Sequence, residues 1–151
     1  MPWQSRDPFT HERIGAMAVY CSDGRYNEQF DQFLHEQLSL PRYDRLVIPG
    51  GAACLAGHMI AHREEQALRE AITFLIDAHH IDRVILIAHH NCGYYLKRLM
   101  LSPASIRAAQ NADLLAAAAA IRRLNTRVQV ESYFAALQND AVSIEPVTDP
   151  A

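Results

Sequence analysis

The sequence predicts an α/β fold, a central and mostly parallel sheet flanked by helices, with strand order 2-1-3-4 and a last short antiparallel strand. Three observations carry this expectation. The runs Ile14 to Tyr20 and Val84 to Ala88 are almost wholly apolar, as strands covered on both faces should be. Longer stretches with apolar residues at helical spacing alternate with such runs. The residues able to do chemistry stand just past two of the runs, and open parallel sheets bind ligands at the carboxyl ends of strands that flank a reversal of strand order.

Each element has its own signal. Residues 1 to 13 are polar and aromatic, with Pro2 and Pro8, and form an N-terminal arm. After the first strand, Asn27 offers an N-cap to a helix bearing Phe30, Phe33, Leu34 and Leu38, which ends near Leu40 because Pro41 stops it. Leu46 to Ile48 is the second strand, closed by Pro49-Gly50-Gly51. A long helix is predicted from about Gly57 to His80, its apolar face made by Ile60, Leu68, Ile72, Leu75 and Ile76. Arg83 to Ala88 is the third strand, and Gly93 to about Leu101 a short helix. Ser102 and Pro103 suit the N-cap and first turn of a helix running to about Asn125. Val128 to Phe134 is the fourth strand. Val142 to Val147 follows a turn near Asn139-Asp140 too closely for a helical crossover, so it pairs antiparallel. With no repeat, linker or low-complexity tract, residues 1 to 151 make a single domain.

Composition excludes several functions. A net charge of -3 offers no clustered cationic surface for phosphates, and Arg122, Arg123 and Arg127 are placed to meet the negative end of a helix dipole. The first residues carry early charge and lead into no apolar signal region. The alanine run from Ala116 to Ala120 is too short and too closely flanked by charge to span a bilayer. The expectation is a cytoplasmic protein acting on a small-molecule substrate, with neither nucleic acid nor membrane as partner. Three cysteines cannot all pair within one chain, which points to metal binding or thiol chemistry.

The first strand ends in Cys21-Ser22-Asp23-Gly24-Arg25 and the third in His89-His90-Asn91-Cys92-Gly93. If those strands are neighbours, Cys21, His89 and Cys92 converge beside an acid and a guanidinium. Catalytic zinc typically takes three such ligands and keeps a fourth tetrahedral position open. Its bound water then loses a proton near neutrality and becomes a nucleophile. Arg25 can grip Asp23 with a forked pair of hydrogen bonds and keep it ionised. Asp23 can in turn accept the proton of the zinc water, or occupy the fourth position itself and shut the site.

Plainer explanations exist for each residue. A lone cysteine at a strand end is most often buried packing, but the nearby Asp23, Arg25 and His-x-x-Cys favour zinc. A phosphate-binding cysteine loop would place its arginine about six residues on; here the gap is four and holds an acid that repels phosphate. His90 suits a surface or supporting role, since adjacent side chains diverge at a strand end. His58 and His62 have the i, i+4 spacing of a helical metal pair, but Met59 stands where a catalytic glutamate would, so they mark a solvated helix start. His79 and His80 suit a helix C-terminus, and Cys54 is packing after the Gly50-Gly51 turn, the alternative being a redox-sensitive neighbour of the metal site after the second strand.

Cys-x-Asp-x-Arg after the first strand and His-x-x-Cys-Gly after a later one resemble the motifs of the β-class carbonic anhydrases, over roughly residues 14 to 135. The resemblance implies zinc on Cys21, His89 and Cys92, and an Asp23–Arg25 dyad. It also implies reversible hydration of carbon dioxide to bicarbonate with zinc hydroxide as nucleophile, and a homodimer or higher homo-oligomer. The chain departs from the pattern in four places. It has Ile48-Pro49-Gly50-Gly51-Ala52 where the family usually carries Arg-Asn-Ala-Gly, and Tyr26 where a small apolar residue is usual. The helical arm before the first strand is cut short, and the pocket glutamine ahead of that strand has no counterpart. Two alternatives keep the site: a related linear substrate such as carbonyl sulfide or carbon disulfide, or a non-enzymatic zinc-binding or sensing role.

Overall fold

A computed structural model describes residues 1–150. The sheet has five strands: β1 (Ala16–Cys21), β2 (Asp44–Ile48), β3 (Arg83–His89), β4 (Gln129–Gln138) and β5 (Ala141–Pro146). Their spatial order is β2-β1-β3-β4-β5. The first three pairings are parallel and β4–β5 is antiparallel, as the pattern of runs and turns predicts. The three main helices are α1 (Asn27–Gln32), α2 (His62–His79) and α3 (Pro103–Leu124).

Side-chain alternation along β1 divides the core in two. Met17 and Val19 join Val84 and Leu86 of β3 beneath Ile72 of α2 and Leu114 and Ile121 of α3. Ala16, Ala18 and Tyr20 join Ile85 and Ile87 on the opposite face, under Phe30 and Leu34. Because β1 and β3 are clad on both sides, they are apolar throughout. Helix α1 lies on one face after β1 and α3 on the other after β3, so the strand order reverses between these two neighbours. Their ends are held in register: Tyr20 lies beside Ile87, Cys21 beside Ile48, and His89 beside Ala135.

Several local expectations need correction. Asn27 is the first residue of α1 rather than its cap; Tyr26 holds the cap position and no side chain caps the helix. Beyond Gln32 the chain continues as a wider turn, Phe33–Gln37, closed by Leu38 N–H to the Phe33 carbonyl at 3.1 Å. The long helix predicted from Gly57 begins only at His62. Gly57 has φ +85° and His58 is extended, because His58 is drawn away to Asp113, and short 3-10 turns fill 51–56 and 59–61. His58 is therefore a partner of a buried carboxylate and not a solvated helix start. Strand β4 runs four residues past Phe134, because β5 pairs with its whole outer half. The turn between them has Asn139 and Asp140 both at positive φ, as a two-residue hairpin requires.

The turn after β2 depends on glycine for two reasons. Gly50 and Gly51 have φ +78° and +55°. A Cβ on Gly51 would lie 2.9 Å from the Tyr20 carbonyl carbon and 3.0 Å from the Cys21 nitrogen, both backbone atoms that cannot swing aside. Gly51→Ala is expected to cost roughly 1–3 kcal/mol, the usual size of forced backbone strain, measurable as a lower urea midpoint with unchanged slope.

Candidate metal centre

Past residue 20, the alternation of β1 turns Cys21 to the α3 side of the sheet, into a small cluster with Ala53, Cys92, Tyr95 and Ile106. From the neighbouring strand, His89 ends β3 and is buried. The chain then turns at Asn91, with φ +51°, and returns Cys92 beside Cys21. The short His-x-x-Cys loop thus folds back on itself, while the third residue arrives from a strand far away in sequence. The two sulfurs lie 3.8 Å apart. Together with a ring nitrogen of His89, the three ligand atoms all fall within 4.8 Å of one another.

The donor set fits a tetrahedral zinc ion. Two thiolates at the usual Zn–S length of about 2.3 Å on a tetrahedral centre sit about 3.8 Å apart, the separation found here. His89 Nδ1 lies 2.9 Å from the His90 carbonyl, which can only accept, so Nδ1 carries the proton and Nε2 presents its lone pair. That Nε2 is buried with no hydrogen-bond partner among the described residues, an orphan that a metal would satisfy. The hydrogen bond from Cys92 pulls the Cys21 thiol well below its ordinary range, against burial, while the same bond pushes Cys92 up. The Gly50 amide also aims at Cys21 Sγ, at 3.4 Å, so the glycine turn contributes a donor to the thiolate.

Asp23 and Arg25 form the pair that their spacing suggests. Arg25 Nε donates to Asp23 Oδ1 at 2.9 Å and Nη2 to Oδ2 at 2.6 Å, with the Arg25 amide adding a third bond to Oδ1 at 3.2 Å. Arg25 is largely solvated, whereas the Asp23 side chain is 18% exposed. Hydrogen bonding by Arg25 holds the Asp23 carboxyl down to about 2. Asp23 is turned to its arginine and is not a member of the Cys-His-Cys group.

Other residues surround the centre. His90 is exposed and supplies the carbonyl that orients His89. Cys54 is buried, 3.5 Å from the Gly51 carbonyl, and burial lifts its thiol to about 11, a packing residue as expected. Three contributors were not anticipated. Gln110 of α3 donates to the His89 carbonyl at 2.8 Å. Tyr26 lays its ring against His89, centroids 4.4 Å apart. Asp113 Oδ2 accepts from Tyr95 at 2.8 Å and bonds His58 Nε2 at 2.7 Å, tying the residue-58 segment and the loop after Cys92 to α3. The signal for Gln110 and Asp113 was in the sequence: both lie on the stripe of Ile106, Leu114, Ala117 and Ile121, where a polar side chain must find a buried partner.

A sheet of this order with a Cys-His-Cys group at its reversal defines a protein of carbonic-anhydrase architecture. Residues 11–148 match the family described as "Putative carbonic anhydrase", and the chain belongs to that family. It is 27% identical over 89 residues to an "Uncharacterized protein" of Rickettsia bellii, a match spanning 58% of this chain and 53% of that one. Among solved structures it is similar to the β-carbonic anhydrase isoform I of Trichomonas vaginalis, with TM-score 0.54 and 10% identity over 95% of this chain and 86% of that one. Against a tetrameric β-carbonic anhydrase of Sordaria macrospora, the TM-score is 0.56 and the identity 12%, over 88% and 81% of the two chains. The β-carbonic anhydrase CcaA gives TM-score 0.56 and 15% identity, over 91% and 85%. These structures share the fold at low sequence identity.

Proposed function

We propose that the protein is a zinc lyase of carbonic-anhydrase type, interconverting carbon dioxide plus water with bicarbonate plus a proton. The observation that carries this reading is the unpartnered His89 Nε2 facing two cysteine sulfurs 3.8 Å apart, in a β-carbonic-anhydrase fold. Cys21, His89 and Cys92 would hold the ion, which when bound supplies a Lewis acid strong enough to bring the ionisation of a coordinated water close to neutrality. Asp23 stays ionised throughout the physiological range, so its carboxylate would accept a hydrogen bond and orient the donor rather than take up the proton. Arg25 occupies both Asp23 oxygens and so fixes the direction in which the acid faces. Gripped in this way, the Asp23 carboxylate would not serve as a fourth ligand to the ion.

The same reading places the protein in the cytoplasm as a homodimer or higher homo-oligomer. One solved relative is tetrameric by its own description, and no helix of the described residues is long and apolar enough to cross a membrane. Stopped-flow carbon dioxide hydration on zinc-quantified protein tests the activity, with Cys92→Ala as the blank. Zinc-dependent hydration absent from that variant is the expected result. Stoichiometric zinc with no hydration from mildly acidic to alkaline pH would overturn the enzyme and leave a metal-binding protein.

A further inference from the structure

His89 is held on three sides by groups that take no part in the ligand set. Its ring face meets Tyr26, a residue 5% exposed whose own ring stacks on Phe30 with centroids 5.7 Å apart. The Tyr26 hydroxyl donates, at 3.3 Å, to the His90 carbonyl, the oxygen that also accepts the proton of His89 Nδ1. Gln110 is 1% exposed and reaches the His89 carbonyl from α3. A carbonyl can only accept, so the amide must present its NH2 there; its Oε1 has no partner among the described residues. A buried amide with half its capacity unmet is costly in a helix core, and the bond to His89 is what it secures.

We infer that Tyr26 and Gln110 are positioning residues for His89. Tyr26 fixes the imidazole plane and braces the carbonyl that sets its tautomer, and Gln110 pins the end of β3 from which the ring projects. Tyr26 also anchors the segment carrying Asp23, since its amide donates to the Asp23 carbonyl at 3.1 Å. The acid–guanidinium turn and the imidazole are thereby set by one residue. This inference rests on the centre being a metal site. It assigns Tyr26, a departure from the sequence pattern described above, a purpose particular to this chain.

The test is zinc affinity by chelator competition, together with the visible spectrum of the cobalt(II)-loaded protein, for Tyr26→Phe, Tyr26→Leu and Gln110→Met. Groups that orient a metal-bound histidine typically contribute about 10–100-fold to affinity. Gln110→Met and Tyr26→Leu are expected to weaken zinc within that range and to shift or broaden the cobalt bands. Tyr26→Phe keeps the ring and should restore most of the loss seen in Tyr26→Leu. If Tyr26→Leu does not fold, the near-isosteric Tyr26→Phe and Gln110→Met carry the test, with a smaller but measurable loss expected of Tyr26→Phe. Folded variants with lower melting temperatures but wild-type affinity and an unchanged cobalt spectrum would overturn the positioning roles alone. A wild-type protein that takes up neither metal would overturn the site itself, and the inference with it.

Discussion

Cys92→Ala is expected to empty the metal centre. Structural zinc sites with four ligands bind with about 10–16 kcal/mol, roughly 2.5–4 kcal/mol per ligand, so losing one of three ligands weakens binding by about two to three orders of magnitude. The substitution should be tolerated by the fold. Cys92 sits in a small cluster at the sheet end and not in either of the two main cores. Metal analysis after gel filtration should show close to one zinc per wild-type chain and almost none in the variant, at similar far-UV circular dichroism. Zinc retained at wild-type stoichiometry would remove Cys92 from the ligand set. Cys21→Ala carries the same expectation from the other strand, and doing both identifies the ion as bound between β1 and the loop after β3.

The second large effect belongs to the Asp23–Arg25 pair. Asp23→Asn removes the carboxylate and leaves the sulfurs and imidazole in place, so zinc content is expected to hold while hydration falls by about 10²-fold, the usual cost of a reacting group no longer held in position. Arg25→Ala tests orientation separately from charge, and the sign follows from the depressed carboxyl. Arg25 lowers Asp23 to about 2, so the pair's contribution to stability is present above the unfolded carboxyl value and is lost as pH falls through about 2. Without Arg25 the carboxyl returns toward its ordinary value of about 3.9, still ionised at pH 6 to 9. The variant is therefore expected to lose rate without changing the shape of its pH profile in that range. A new acidic limb near pH 6 to 7 would show that Arg25 governs ionisation rather than direction.

Much of this arrangement was legible in the chain. The apolar runs of β1 and β3 reveal strands buried on both faces, and the spacing Cys-x-Asp-x-Arg and His-x-x-Cys places their chemistry at the strand ends. The hairpin was signalled by Asn139-Asp140, two residues that tolerate positive φ. The remainder was hidden for physical reasons. The helical periodicity continues upstream of His62 through Ile60, yet tertiary pairing of His58 with Asp113 and the left-handed Gly57 break the helix there. The last residues of β4, Ala135-Ala136-Leu137-Gln138, are good helix formers with no strand signal of their own, and they become strand because β5 lies alongside. Asn27 has the chemistry of a cap, but the Tyr26 backbone, held by the Asp23 carbonyl, takes that place. Tyr26 was visible only as a departure; the contact of its ring with the His89 imidazole requires the segment before α1 and the end of β3 to be brought together in three dimensions.

Zinc is expected on two sulfurs and one imidazole nitrogen, with a fourth position left to solvent. Zinc X-ray absorption on the purified protein reads this ligand set. The expected spectrum fits two sulfurs at about 2.3 Å and two light atoms at about 2.0–2.1 Å, one of them with the multiple scattering of a single histidine. Three or four sulfurs, or a shell of light atoms alone, would contradict the assignment of Cys21, His89 and Cys92.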